Sequence, residues 1–180
     1  DEDIFRVQIG TLDNSSDCNT LAPGFGSIQN RYSNYALTGP TAPAPDTIVA
    51  GTNPLRVTIG TCGGVFGNSV AVFIDQNQNG NFEPTEVVYR SPAATGGPHV
   101  ETGIANVSTS ALIGKTLMRV VNVETGNPAN ITACGAYAWG ETEDYFVYLR
   151  ECDPGVVTRQ PVAQTTTCNG NAEFTAAFGG

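Results

Sequence analysis

Residues Ser69–Arg90, SVAVFIDQNQNGNFEPTEVVYR, constrain the fold more than any other stretch. Val70, Val72 and Ile74 alternate with Ala71 and Phe73, which predicts a buried strand; Val87-Val88-Tyr89 predicts a second. Between them Asp75, Asn77, Asn79, Gly80 and Glu86 fill every defined position of the calcium-loop pattern D-x-[DN]-x-[DN]-G-x5-E. A hard cation needs oxygen ligands on a chain that curls around it. Asp75, Asn77 and Asn79 offer side-chain oxygens, Gly80 permits the sharp turn, the Asn81 carbonyl faces inward, and Glu86 closes the site with both oxygens. No helices flank the pattern, so the loop belongs to a β-hairpin, where Asn, Gly and Asp also make ordinary turns. With Asp75 and Glu86 as the charged ligands, Ca2+ affinity is expected in the weak extracellular range of ~10⁻⁴–10⁻³ M.

The rest of the chain favours strands. Of 180 residues 21 are Gly and 11 Pro, and charged residues make up only 14%, a balance suited to short strands and many turns. The net charge of −9, with eight Lys and Arg, leaves no basic patch for nucleic acid or an anionic membrane. No apolar run approaches the ~20 residues a membrane-spanning helix needs. Asp1 follows no signal peptide, which reads as a mature or excised chain. The five cysteines and single histidine lack zinc-site spacing and point to disulfides in an exported protein.

Strands are expected at Ile4–Ile9, Tyr32–Leu37, Thr47–Ala50, Leu55–Ile59, Val100–Thr109, Leu117–Val123 and Phe146–Arg150, with irregular stretches over Thr11–Arg31 and Thr125–Tyr137. His99, in a Gly-Pro loop, reads as a surface residue. Sequons stand at Asn14, Asn106 and Asn130. The segment Gly140-Glu141-Thr142-Glu143-Asp144 is extended, with Glu141 and Glu143 on one side and Thr142 and Asp144 on the other. Its carboxylates suit a metal or structural role, or solvated charge, better than acid–base catalysis, whose pairs come from separate elements around a cleft.

FIDQNQNGNFEPTE, ALIGKTLMRVV and CGAYAWGETEDYFVYL resemble the GEVED domain family, with Thr142 where the family name has Val. IGTLDNSSDC, RYSNY and TIGTCGGVFG fit upstream, so the resemblance spans about Asp3–Arg150. It implies a β-sandwich module of secreted or cell-surface bacterial proteins, often exported by a type IX route, with no catalytic activity of its own. It also makes Glu141, Glu143 and Asp144 candidates to join the calcium loop. Cys18–Cys62 is the first disulfide expected, both cysteines lying in loops of the resembling region. Cys134–Cys152 is a second, though sequence does not fix connectivity.

The expected fold is therefore all-β, a jelly-roll-like sandwich with long disulfide-tied loops. A GEVED-like domain would fill residues 1–150. The tail, residues 151–180, resembles the first strands of an Ig-like repeat; Ala172, Phe174, Ala176 and Phe178 would line one face, or the segment would be donated to a neighbouring sheet. The expected function is a non-catalytic, Ca2+-binding structural or adhesion module. Its partners would be other domains of a large chain or neighbouring subunits, and surface glycans. The alternatives are a fibre subunit assembling by C-terminal strand addition, and a carbohydrate-binding module using Tyr137 and Trp139 as a platform. Against that platform, Trp139 and Tyr145 read first as core anchors.

Overall fold

The computed structural model describes residues 2–152, 156–159, 173 and 175–179. Among these the chain forms thirteen strands: β1 (Glu2–Ile9), β2 (Leu12–Ser15), β3 (Tyr32–Asn34), β4 (Asp46–Val49), β5 (Gly51–Thr61), β6 (Gly67–Ile74), β7 (Val87–Arg90), β8 (Thr95–Gly96), β9 (His99–Val107), β10 (Gly114–Val123), β11 (Gly140–Arg150), β12 (Val156–Arg159) and β13 (Ala177–Gly179). Two 3-10 turns, Pro84–Glu86 and Pro128–Asn130, are the helical elements.

Two sheets pack face to face, so the chain is a β-sandwich. One has the order β2-β1-β5-β9; the other runs β3-β11-β10-β6-β7, with β4 also on β11 and β8 on β6. Between them lies a core that takes Ile4, Val7, Val57 and Ile59 from the first sheet and Val70, Val72, Ile74, Met118, Val120, Tyr145, Val147 and Leu149 from the second. Ile4 and Val7 both point inward although three residues apart, because the β1–β5 register shifts between Ile4 and Arg6. A β-bulge of this kind adds one residue and resets the alternation.

The outer face of the second sheet is covered as well. Ala71, Phe73 and Val121 pack there with Ile131 and Ala133 of the segment after β10. With both faces buried, β6 reads as a near-continuous apolar run, the pattern of a strand covered on both sides. β11 is the hub: β10 lies antiparallel on one edge, while β3 and β4 follow each other in parallel along the opposite edge.

The expected strands are present with shifted bounds: β1, β5, β6, β10 and β11 start earlier than expected, whereas β3 ends at Asn34 and β9 at Val107, short of the expected Leu37 and Thr109; before the tail, β2 and β8 are additional. β2 lies in the stretch expected to be irregular and pairs with β1 across a tight turn at Gly10 and Thr11. Gly10 has φ +58°, and a Cβ there would stand 2.1 Å from the Thr47 carbonyl oxygen, so the turn requires glycine. β8 is a two-residue pairing with β6. In the tail, β12 pairs antiparallel with β13, whereas Ala176 precedes that strand and Ala172, Phe174 and Cys168 lie outside the described residues.

Candidate functional site

The loop from Asp75 to Glu86 joins β6 to β7 through a net of oxygens on backbone amides. Asp75 accepts from Asn79 N at 3.1 Å and Gly80 N at 2.9 Å. Asn77 Oδ1 accepts from Asn79 N at 3.0 Å, and Asn79 Oδ1 from Asn81 N at 2.8 Å. Glu86, buried at the far end, accepts from Gln76 N at 2.8 Å, Asn77 N at 3.2 Å and Glu83 N at 3.1 Å. Left-handed backbone at Gln78 (φ 56°) and Gly80 (φ 82°) makes the curl possible. The side chains the pattern selects are thus all in one loop, and they organise its turns.

Glu83 is a member the pattern does not name. Its carboxylate accepts from Asn79 Nδ2 at 2.6 Å and Asn77 Nδ2 at 3.2 Å, which lowers its pKa, while burial first of all raises that of Glu86. It stands at loop position nine, where calcium loops often bind through water, and that spacing was the available signal. The donor set, three carboxylates with amide oxygens, is all oxygen and suits Ca2+. Asp75, Asn77, Asn79 and Glu86 would hold the ion, with Glu83 beside them. The one described cluster of three acidic or thiol groups with ligand atoms within 4.8 Å of one another is elsewhere, at Asp3, Cys18 and Cys62. Both of its sulfurs are taken by a disulfide.

The acidic motif does not reach this loop. Glu141, Glu143 and Asp144 pair with Asn122, Val120 and Arg119 of β10, which in turn face Val70, Val72 and Phe73 of β6. All three therefore lie back along the sheet, a strand away from β6, and each has its own partners. Glu141 accepts from Ile4 N at 2.8 Å and Ser33 Oγ at 2.7 Å, tying β11 to β1 and β3. Glu143 accepts from Tyr145 Oη at 2.5 Å. Asp144, on the opposite face as the alternation requires, takes both arms of Arg119 at 2.6 Å and the Tyr32 hydroxyl at 2.8 Å. Gly140 opens the motif at φ +127°, where a Cβ would meet the Asn122 carbonyl oxygen at 2.1 Å. The motif knots four strands and the adjoining turn together.

Burial pushes the Glu141 pKa from 4.5 up to about 7, and that of Glu143 well above its ordinary value, with the Glu141 charge adding to it. Between about pH 4.5 and 7 the folded chain keeps a proton on Glu141 that the unfolded chain has lost. More protons bound in the folded state means that stability falls as pH rises through this window and levels off above it, by on the order of 3 kcal/mol for one such group. Urea unfolding in EDTA from pH 4.5 to 8 should show this decline; a flat or rising profile would mean that Glu141 is ionised in the fold without penalty.

Other expectations fare unevenly. Cys18–Cys62 is a disulfide, with its Cα atoms 5.4 Å apart. Cys134 and Cys152 are free and exposed, which corrects their expected pairing. Cys134 lies beside Arg119, level with Asp144. From there β11 runs on to Arg150, roughly 20 Å at the rise of a strand, before Cys152 is reached. A disulfide needs Cα atoms within about 7 Å. His99 is not a surface residue: its side chain is 12% exposed and 3.5 Å from Glu101. Tyr145 is a core anchor, stacked on Tyr35, but Trp139 is 52% exposed. Trp139 borders a cavity of ≈ 190 Å³ with Asp3, Gln29, Asn30 and Arg31. Tyr137 packs on the outer cluster, donating to or accepting from Thr142 Oγ at 2.5 Å, and does not line the cavity that Trp139 borders.

Fold and loop together define a disulfide-bonded β-sandwich with an acidic, oxygen-lined hairpin loop. Residues 69–148, from β6 through most of β11, match the family model described as the GEVED domain, which supports that family for this part of the chain. Among solved structures, the CARDB domain of a Pyrococcus furiosus protein, described as in complex with di-metal ions, aligns with 12% identity and a TM-score of 0.32, over 59% of this chain and 81% of that one. A comparison with curated proteins finds no match. No helix among the described residues is long and apolar enough to cross a membrane.

Proposed function

We propose that the chain is a non-catalytic, calcium-stabilised structural or adhesion module of a secreted or cell-surface bacterial protein. The observation that carries this reading is the Asp75–Glu86 loop, where the Asp75 and Glu86 carboxylates and two asparagine oxygens each take a backbone amide, with the Glu83 carboxylate beside them on the Asn77 and Asn79 side-chain amides. A divalent cation coordinated there would offset the repulsion among these carboxylates. The family match supports the extracellular setting, and the disulfide agrees with an oxidising compartment. The test is thermal unfolding in EDTA and in millimolar Ca2+. At 100 times its Kd a single site adds ~2.7 kcal/mol, so the wild type should melt higher with Ca2+, and Asp75→Ala should lose that rise. Identical melting in both buffers would sink the reading.

A carbohydrate-binding role is favoured by one observation, the exposed Trp139 beside a polar cavity. Binding to a glycan array that disappears in Trp139→Ala with unchanged melting would establish it; an array without signal would remove it.

A further inference from the structure

A second set of oxygens lies at the other end of β6. Glu2 Oε2, Asn68 Oδ1, Asn122 Oδ1 and Glu124 Oε1 are shielded from solvent, and none has a hydrogen-bond partner. Glu2, Asn68 and Asn122 are each 0% exposed. A buried, unsatisfied polar group typically costs about 1–3 kcal/mol, more if charged, so four in one place demand an explanation.

Their placement follows from the register. Asn68 shares the alternation of Val70, Val72 and Ile74, and Asn122 that of Val120 and Met118, all of which face the core. Asn122 pairs with Val70 and Val123 with Ser69. One further step sets Glu124 across from Asn68, and Glu124 N still bonds Trp139 O at 3.2 Å, continuing the ladder to β11. Glu2 comes from the opposite sheet, on the side of Ile4. Its Oε1 accepts from Phe66 N at 2.5 Å, and its carbonyl oxygen accepts from Asn122 Nδ2 at 3.2 Å. Asn68 Nδ2 donates to Phe66 O at 3.3 Å. The amide nitrogens are thereby engaged, and the free atom of each asparagine is its oxygen. The Glu2 and Glu124 carboxyls face each other. Burial first, and then this contact, raises the Glu124 pKa against an opposite pull from the chain's amino end.

We propose that Glu2, Asn68, Asn122 and Glu124 form a second divalent-cation site, for Ca2+, at the rim of the sandwich opposite the Asp75 loop. Every free atom is an oxygen, two of them from carboxyl groups and two from amides, and all are hard ligands, the type Ca2+ takes at 2.3–2.6 Å and Zn2+ sites seldom use alone. The site joins β1 to β6 and to the end of β10. Asn68 and Asp75 stand at opposite ends of β6, roughly 23 Å apart along the strand, so no ion is shared and this site goes beyond the loop reading.

The test is calorimetric titration of the whole chain with Ca2+, on wild type, Asp75→Ala, Glu124→Gln and Glu2→Gln. Two ions are expected in wild type and one in each variant. If the loop binds nothing, wild type and Asp75→Ala bind one ion alike, and Glu124→Gln binds none. Glu124→Gln should melt in EDTA at or above wild type, since one of two facing charges is gone, which separates lost binding from misfolding. An unchanged stoichiometry in both glutamine variants, or no binding in Asp75→Ala, overturns the second site and leaves the facing carboxyls to share a proton.

Discussion

Arg119→Ala is expected to destabilise the fold by about 3–5 kcal/mol, the usual result of removing one partner from a buried ion pair. The Asp144 side chain is 10% exposed and that of Arg119 20%. The guanidinium holds both Asp144 oxygens, bonds the Ala133 carbonyl at 2.8 Å and lies 5.2 Å from the Phe82 ring centroid. Its loss leaves a carboxylate with the Tyr32 hydroxyl alone and unfastens the segment that covers the outer face. The Arg119→Ala/Asp144→Ala double variant should cost less than the sum of the single variants, because no charge is left stranded. Arg119→Lys keeps the charge but loses the two-armed geometry. Urea unfolding measures all of these; a loss below 1 kcal/mol for Arg119→Ala would put the pair with ordinary surface salt bridges.

Cys18→Ser/Cys62→Ser should cost about 4 kcal/mol, since the bond closes a loop with a sequence separation of 44 and the chain-entropy relation gives that figure for about 45 residues. The denaturation midpoint should fall and the slope rise as the unfolded chain expands. A loss under 1 kcal/mol would mean that the unfolded loop is already restrained by other contacts. Removing the thiols of Cys134 and Cys152, which bond neither each other nor another described cysteine, should leave the midpoint close to wild type.

Much of the second sheet was legible because its strands are strongly patterned. The β6–loop–β7 unit, the two sides of β10 and the alternation of Glu141 and Glu143 against Thr142 and Asp144 all follow from a period of two. β2 was not legible: Leu12-Asp-Asn-Ser has one apolar residue, and its pairing comes from the Gly10 turn. Nor could local pattern show that β3 and β4 share one edge of β11, since parallel pairing depends on residues more than a hundred positions apart. The placement of the acidic motif failed for the same reason: nearness of type in sequence says nothing of position along a sheet. Glu83 was within reach through loop spacing. Glu2 and Glu124 were not, because acidic residues in or beside a strand normally face water, and only the closing of the two sheets buries Glu2 and shields one Glu124 oxygen. Trp139 misled because a large aromatic next to a structural motif is more often core than surface.

The disulfide also bears on how the molecule answers a pull. A module strung in a longer chain is loaded through its ends, and β3, β4 and all of β5 lie inside the covalent ring closed by Cys18 and Cys62. Tension cannot draw that ring out. Unravelling is shortened by roughly 150 Å, at about 3.4 Å for each residue enclosed. The two strands that line one edge of β11 are part of this inextensible ring, so under load the hub's parallel neighbours stay on a short leash.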